Sequence, residues 1–187
     1  AELTRRALDA GKHVWVEKPL ALDRDELNAV ARVRGRTDAF FQVGFNRRFA
    51  PMSVRARDHL AAAGGAKYVL LRVNAGAIEA DDWQNAPEEG HGRIIGEACH
   101  FIDLVTFLAA APLEEVSAVA SEYAPAKGIE DCQIHLRFAG GTAGTISYVT
   151  SNDAPTSKEH LEIWCGNKVI DLEDFEQAWF YDDGRDW

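Results

Sequence analysis

The pattern of apolar and polar positions changes character near Gly44. Before it, short apolar stretches alternate with helical periodicity, which predicts helices and strands at 2–10, 13–16, 24–34 and 39–43. Gly11 ends the first helix, and Asp23 followed by Glu26 three residues later is typical of a helix N-terminus. Strand, helix and strand at this spacing predict a βαβ unit and therefore a parallel sheet. Because two strands alone make a marginal sheet, we expect further strands before residue 1, in a longer polypeptide.

After Gly44 the pattern is that of a different fold. Helical periodicity covers 49–63, up to Gly64-Gly65, and returns at 94–109. Between them lie a strand pattern at 67–74 and an irregular, acidic segment at 76–92, which is a loop or lid candidate. The remainder predicts strands at 115–121, 129–138, 142–150, 159–165 and 168–172.

Two turns organise these strands into hairpins. Apolar and polar residues alternate strictly from Cys132 to Phe138, after which Gly140-Gly141 supplies a turn, and Gly166-Asn167 supplies another. Antiparallel strands with one polar side imply a sheet that is covered on one face only. The chain is thus predicted as an α/β remnant of a doubly wound parallel sheet at 1–44, followed by an α+β domain at 45–187.

Composition and charge exclude several kinds of partner. The chain has 187 residues, 47% hydrophobic and 27% charged, which is ordinary globular usage. Its formal net charge of −10 disfavours nucleic acid and anionic membrane surfaces, and no apolar run reaches the about 20 residues that a spanning helix needs. Cys99, Cys132 and Cys165 are widely spaced without a CxxC pair, so we expect small buried thiols in a cytoplasmic protein.

The stretch HVWVEKPLAL at 13–22 places Glu17, Lys18 and Pro19 directly after a strand. Residues just past a strand of an open α/β sheet line the crevice where ligands bind. Pro19 restricts Lys18 to an extended conformation, and the bond between them is a candidate for the cis form. The alternative is a Glu17–Lys18 surface pair that only ends the strand.

The stretch GEACHFIDL at 96–104 carries Glu97, His100 and Asp103 at successive steps of three residues, along one helix face. The other side chains of this helix are almost all apolar, which predicts burial. Buried ionisable groups need one another, a ligand or a cavity, and a histidine flanked by carboxylates suits proton transfer near neutral pH. The alternative is a core histidine that Asp103 orients. A metal held by Glu97 and His100 lacks a second motif, so no metal is predicted.

A third stretch, GFNRRFAP at 44–51, places Asn46, Arg47 and Arg48 at the predicted domain boundary. This set suits recognition of hydroxyl or carboxylate groups, and a solvated basic helix start is the alternative. The 187 residues contain no GxGxxG, P-loop or GxSxG sequence, and therefore no phosphate-cradling loop.

These stretches, in this order and spacing, resemble the Gfo/Idh/MocA (glucose–fructose oxidoreductase / inositol dehydrogenase) family of NAD(P)-dependent oxidoreductases. The lysine-bearing EKP segment of the family's Rossmann domain resembles AGKHVWVEKPLAL. The segment after the last strand of that domain resembles VGFNRRFAP, and the histidine-bearing helix of the family's second domain resembles GRIIGEACHFIDL. The resemblance implies the C-terminal part of a Rossmann domain at 1–44 and a substrate-binding and oligomerisation domain, with a large, mostly antiparallel open sheet, at 45–187. It also implies that both ends of the family's chain lie outside these residues.

The resemblance implies roles for individual residues. Lys18 matches the catalytic lysine, which contacts substrate and the nicotinamide of NAD or NADP, with Glu17 and Pro19 beside the cofactor. His100 matches the histidine that exchanges the substrate proton, and Asp103 matches an aspartate that anchors the helix.

Two further matches concern the substrate. Many members carry an aspartate where this chain has Gly96, so Glu97, one position on, is a catalytic candidate offset from the usual place. Asn46, Arg47 and Arg48 match the family's segment near the substrate pocket.

The implied activity is hydride transfer between the nicotinamide and a sugar, cyclitol or similar polyol, in a homo-oligomer that packs through the open sheet face. Without a glycine-rich loop, the 187 residues alone are expected not to bind the cofactor. The alternative function is a non-catalytic substrate-binding or assembly module of the same family. A metal-dependent lyase or isomerase using Glu97 and His100 is the third hypothesis.

Overall fold

The structure is a computed structural model that describes residues 1–79, 81–86, 92–121, 130–151, 155–182 and the backbone of 185–186. The chain divides into two compact units. The first comprises Ala1–Phe45 and Asp81–Cys99, and the second comprises Asn46–Ala80 and His100–Trp187. The predicted boundary at Gly44 between two continuous domains stays a prediction.

The first unit contains the predicted βαβ arrangement. Its elements are α1 (Glu2–Asp9), β1 (Val14–Val16), α2 (Arg24–Arg34) and β2 (Phe41–Val43), followed in the 81–99 segment by a 3₁₀ turn (Trp83–Asn85) and a π-helical turn (Ile94–Ala98). Strands β1 and β2 pair in parallel, with Val14 opposite Phe41. This parallel pairing confirms the fold predicted for the start of the chain.

Local signals account for the ends of the first helices. Asp23 caps α2 by accepting a hydrogen bond from the Glu26 backbone N–H at 2.8 Å, and the Glu26 carboxylate accepts from the Leu22 N–H at 2.9 Å. Gly11 follows α1 with φ +67°, a conformation that favours glycine. The helices pack on the strands through a small apolar core of Leu8, Val30, Val33 and Ala39.

The second unit is built on a sheet of eight strands within the described residues. A 3₁₀ turn (Arg47–Phe49) and α3 (Pro51–Ala61) precede the first strand of this sheet, and α4 (Cys99–Ala109) follows that strand along the chain. The strands are β3 (Lys67–Asn74), β4 (Leu113–Ala120), β5 (Cys132–Phe138), β6 (Ala143–Val149), β7 (Glu159–Cys165), β8 (Lys168–Glu173), β9 (Gln177–Asp182) and β10 (Arg185–Asp186). Their order is β10-β9-β8-β7-β3-β6-β5-β4.

Most of the sheet follows the predicted hairpins, and two features differ from the prediction. Strand β3 pairs in parallel with β6, whereas all the other pairs are antiparallel. Strands β9 and β10 were not predicted. The predicted start of a strand at residue 129, and residues 80 and 87–91 of the lid candidate, lie outside the described residues.

One face of the sheet is covered and the other is open. The buried side of β3 consists of Val69, Leu71 and Val73, and α4 packs on this face, where the ring of Phe101 lies 6.0 Å from that of Tyr148. On the open face, Tyr68, Trp164, Val169 and Tyr181 are direct partners in register across β3, β7, β8 and β9. This arrangement confirms the predicted one-sided sheet.

The cysteines agree with the prediction only in part. All three are free thiols, but only Cys165 is buried, while Cys99 and Cys132 are partly exposed. Burial raises the pKa of Cys132, with smaller contributions from the nearby carboxylates of Glu130 and Asp131. A cytoplasmic location stays a prediction.

A substitution at Gly144 of β6 tests how tightly α4 packs on the sheet. A Cβ atom at this position would lie 2.5 Å from Cγ1 of Val105, so Gly144→Ala is expected to lower the free energy of unfolding by about 1–3 kcal/mol through overpacking. Chemical denaturation measures this change. Ser147→Ala, on the half-exposed side of the same strand, is the control and should change stability by no more than about 0.5 kcal/mol; equal effects of the two variants would contradict the packing argument.

Candidate active site

Lys18 lies just past the carboxyl end of β1, in the first unit. The Lys18–Pro19 peptide bond is cis. The Lys18 ammonium donates a hydrogen bond of 2.6 Å to the backbone carbonyl of Gly96, and it lies 4.8 Å from the centroid of the Trp83 ring. The side chain is therefore directed by two partners from the 81–99 segment of the same unit, which differs from the surface pair with Glu17 considered as the alternative.

The carboxyl ends of β1 and β2 approach each other closely. The Gly44 N–H donates to the Val16 carbonyl at 2.8 Å. A Cβ atom at Gly44 would lie 3.1 Å from Oε2 of Glu17 and 3.2 Å from Cζ2 of Trp15, so a residue with a side chain would crowd this edge. Gly44 thus permits Glu17, directly before Lys18, to lie over the end of the neighbouring strand.

Glu97 lies in the π-helical turn that precedes α4, not in a regular α-helix as predicted from residue 94. Its carboxylate accepts a hydrogen bond of 2.7 Å from Arg93, which is 1% exposed. A buried charge of this kind needs a partner of opposite sign, since an unpaired ion would be costly. Arg93 supplies that partner from the previous turn.

His100 and Asp103 lie on α4, in the second unit. The His100 side chain is buried, 5% exposed, which confirms the predicted burial of this helix. The Asp103 carboxylate forms a two-pronged ion pair with Arg48, whose Nε donates to Oδ2 at 2.8 Å and whose Nη2 donates to Oδ1. Asp103 thus joins α4 to the 3₁₀ turn that contains Arg48.

The other residues of the predicted substrate stretch also have partners. Arg47 donates to both oxygens of Glu159, at 2.5 and 3.4 Å, and it also donates to Oδ1 of the neighbouring Asn46. Its guanidinium carbon lies 5.2 Å from the ring centroid of Phe101. A polar pocket of about 360 Å³ adjoins this pair, lined by Asn46, Arg47, Ala50, Lys158, Glu159, Asp174 and Phe175.

The predicted site residues therefore form two groups. The first group lies in the first unit, with Glu17, Lys18 and Pro19 at the end of β1 and Glu97 in the π-helical turn. The second group lies in the second unit, where Asp103 contacts Arg48 and Asn46 contacts Arg47. Sequence reasoning missed Trp83, Arg93, Glu159 and the Gly96 carbonyl. A backbone carbonyl has no sequence signature. Trp83 and Glu159 are paired with Lys18 and Arg47 over separations that only the fold defines, whereas Arg93 lies four residues before its partner Glu97.

Two general properties of the described residues bear on the chemistry. Across the parts of the chain that the structure describes, no group of three or more His, Cys, Asp or Glu side chains is arranged to hold a metal ion. None of the helices in those parts is both long and apolar enough to cross a bilayer.

Comparison with known proteins assigns the chain to a family. Residues 61–170 match the family model described as the GFO/IDH/MocA C-terminal domain. The chain belongs to the Gfo/Idh/MocA family. Residues 1–45 match the model described as an oxidoreductase family with an NAD-binding Rossmann fold. These two matches confirm the resemblance, and the EKP and CHFID stretches lie within the matched residues.

The relatives include named dehydrogenases. The chain is 30% identical over 164 residues to 4-carboxy-2-hydroxymuconate-6-semialdehyde dehydrogenase of Sphingobium sp., covering 83% of this chain and 50% of that protein. It is 25% identical over 151 residues to myo-inositol 2-dehydrogenase of Thermotoga maritima, covering 78% and 45%. The chain thus spans about half the length of these curated relatives.

A solved structure supports the fold. Levoglucosan dehydrogenase in complex with NADH superposes with a TM-score of 0.84 at 22% identity, over all of this chain and 56% of that one. At this level of identity the likeness concerns the fold. It confirms the predicted fold class, a small parallel sheet followed by a large, mostly antiparallel sheet.

The Arg48–Asp103 ion pair can be tested for its anchoring role. The Asp103 side chain is only 10% exposed, so Asp103→Asn is expected to lower the free energy of unfolding by about 1.5–3 kcal/mol, as for a lost hydrogen bond to a charged group. Arg48→Lys should also destabilise, because lysine cannot form the two-pronged contact. Denaturant unfolding of the two single variants and the double variant measures the coupling.

Asp58→Asn is the matched control for this pair. Asp58 accepts from Arg57 on the exposed side of α3, with 62% of its side chain exposed. Loss of such a surface pair should cost no more than about 1 kcal/mol. Additive effects of the Arg48 and Asp103 substitutions would show that the ion pair does not anchor α4.

Proposed function

We propose that this chain is part of an NAD(P)-dependent oxidoreductase that transfers a hydride between the nicotinamide and a carbinol of a sugar, cyclitol or similar polyol. The observation that carries the proposal is the position of Lys18 at the carboxyl end of β1, with its ammonium bound to the Gly96 carbonyl at 2.6 Å. An ammonium has three N–H donors. Gly96 accepts one of them, and the others suit the oxygen of a substrate.

The residues at the strand ends fit the nicotinamide end of such a cofactor. Glu17, Lys18 and Pro19 follow β1, and Gly44 follows β2, at the edge of a parallel sheet where ligands bind in this class of fold. When bound, the cofactor would take up or release the hydride.

The cofactor's phosphates need another part of the protein. The 187 residues contain no GxGxxG sequence, which is the segment that holds the pyrophosphate in dinucleotide-binding folds. We therefore expect that the 187-residue polypeptide alone does not bind NAD(H) or NADP(H) measurably.

In the proposed reaction, Lys18 donates a hydrogen bond to the substrate oxygen and stabilises the negative charge that develops on it. His100 takes up the hydroxyl proton during oxidation and returns it during reduction. Asp103 contributes by fixing α4 through Arg48. Glu97, which pairs with Arg93, stays a catalytic candidate in the π-helical turn.

Two of the relatives and the polar pocket of the second unit support the proposed substrate class. Myo-inositol 2-dehydrogenase is among the relatives by name, and D-xylose 1-dehydrogenase of Haloferax volcanii is another, 26% identical over 167 residues that cover 84% of this chain and 48% of that protein. Asn46 and Arg47 offer an amide and a guanidinium at the pocket next to Glu159. This combination of donors and acceptors suits the hydroxyl groups of a polyol.

Lys18→Met tests the proposed chemistry in the complete polypeptide encoded by the gene. Removal of the ammonium should lower kcat/KM by about 100-fold or more, as for a lost oxyanion donor, while dinucleotide affinity stays within a few-fold. His100→Gln should give a loss of similar or larger size. Nicotinamide fluorescence measures binding, and nicotinamide absorbance with a panel of cyclitols and aldoses measures turnover.

Lys12→Met is the control, since Lys12 is an exposed lysine of the same unit, just before β1. It should leave both binding and turnover unchanged. If the complete wild-type protein bound neither NAD(H) nor NADP(H), the dehydrogenase proposal would be wrong, and the non-catalytic module would become the better explanation.

We further propose that two copies of the chain pack through the open sheet face. Support comes from Tyr68, Trp164, Val169 and Tyr181, which form a continuous apolar and aromatic row across four strands of that face. Tyr68 is 64% exposed and Trp164 38% exposed in the single chain. Large aromatic side chains in such a row are typical of protein interfaces.

Tyr68→Lys combined with Trp164→Lys should reduce the oligomeric state of the complete protein, because the two charges would be buried against each other in the interface. Light scattering coupled to size-exclusion chromatography measures the mass. Leu27→Lys, an exposed apolar position on α2 in the first unit, is the control and should leave the mass unchanged. An unchanged mass of the double variant would exclude this face as the interface.

A further inference from the structure

We propose that Trp83 is a positioning residue for Lys18. The indole ring and the Gly96 carbonyl together hold the ammonium in the direction that the proposed reaction needs. This inference rests on the proposed function of Lys18 and adds a residue from the irregular 76–92 segment, which the sequence indicated as a loop or lid candidate.

The contact geometry supports a direct effect of the ring on the ammonium. The Lys18 Nζ lies 4.8 Å from the Trp83 ring centroid, within the about 6 Å over which an aromatic face attracts a cation. Tryptophan is the strongest of the aromatic side chains in this interaction. Trp83 is 42% exposed and lies on the surface of the first unit, whereas Lys18 is only partly exposed.

Both partners of the ammonium belong to one hydrogen-bonded framework. Asp82 caps the turn of Trp83 by accepting from the Gln84 N–H at 2.8 Å. The Gln84 carbonyl then accepts from the Gly92 N–H, and the Gly92 carbonyl accepts from the Gly96 N–H, each at 2.8 Å. The turn that carries the ring is therefore tied to the backbone whose carbonyl binds Lys18.

A lysine used in catalysis needs contacts that restrict the direction of its ammonium. Its ammonium sits on a flexible four-carbon stem and is strongly hydrated, so an unheld side chain would sample many directions. A carbonyl acceptor fixes one N–H, and an aromatic face restricts the remaining motion. Since neither partner carries a formal negative charge, the positive charge of Lys18 remains available for the oxygen of a substrate.

The separate contributions of the Trp83 ring and of the Gly96 carbonyl to holding Lys18 can be tested. Loss of the ring should leave the Gly96 hydrogen bond possible but less constrained, so that the lysine becomes more mobile and more accessible. Phenylalanine keeps an aromatic face, though a weaker one, and leucine keeps only apolar bulk. A purely structural role of Trp83 would predict similar effects of both substitutions.

The experiment compares Trp83→Leu and Trp83→Phe in the complete polypeptide. The first readout is the acetylation rate of Lys18 by sulfo-N-hydroxysuccinimide acetate, followed by peptide mass spectrometry with Lys12 as the internal reference. The second is kcat, together with the KM values for the dinucleotide and for the polyol that the wild-type protein oxidises. Phe40→Leu, an exposed aromatic position in the same unit, is the control.

We expect Trp83→Leu to raise the relative acetylation of Lys18 at least about 3-fold and to lower kcat by about 2- to 30-fold, the range that a cation–π contact supports. The KM for the dinucleotide should stay within 2-fold of wild type, as an order-of-magnitude bound for unchanged binding. Trp83→Phe should restore most of both values, and Phe40→Leu should change neither.

Unchanged Lys18 acetylation in Trp83→Leu would overturn the inference, and so would equal effects of the leucine and phenylalanine variants. The acetylation readout does not depend on turnover. If the wild-type protein were inactive, or if Lys18→Met were fully active, the proposed function would fail, while the labelling rates would still decide whether Trp83 holds Lys18.

Discussion

The large sheet depends on the strict alternation of β3, the strand through which its two halves are joined. Val69, Leu71 and Val73 are at most 3% exposed, and β3 pairs with β6 on one side and β7 on the other. A shift of one residue would turn this apolar side to solvent, so the register of both neighbours is set by burial. The absence of a side chain at Gly144 lets α4 close over the same face.

A second constraint is the burial of charged side chains. Arg93 pairs with Glu97 in the first unit, and Arg48 pairs with Asp103 in the second. The sequence pattern placed Glu97, His100 and Asp103 on one face and predicted that they meet one another, a ligand or a cavity. The arginines supply the compensating charges for the two carboxylates, and proton transfer by His100 stays part of the proposed reaction.

The lysine that carries the proposed chemistry is held by neutral groups. A carbonyl at 2.6 Å and an indole ring at 4.8 Å orient the ammonium without neutralising it. This arrangement differs from a salt bridge, in which a carboxylate would compete with the substrate oxygen for the lysine's charge. At position 96 the acceptor is the backbone carbonyl, which a glycine supplies as any other residue does.

The sequence by itself determined the elements with local signals: the cap of α2 at Asp23, the parallel β1 and β2, the one-sided alternation of β5, the two glycine turns and the family. These follow from neighbouring residues, whose propensities and periodicity are visible in the chain. Only the tertiary structure decided the parallel pairing of β3 with β6, the π-helical turn before α4, and the partners of Lys18. The strand pairing and the partners of Lys18 depend on contacts between residues far apart in sequence, such as Lys18 with the carbonyl of Gly96, for which side-chain type gives no signal.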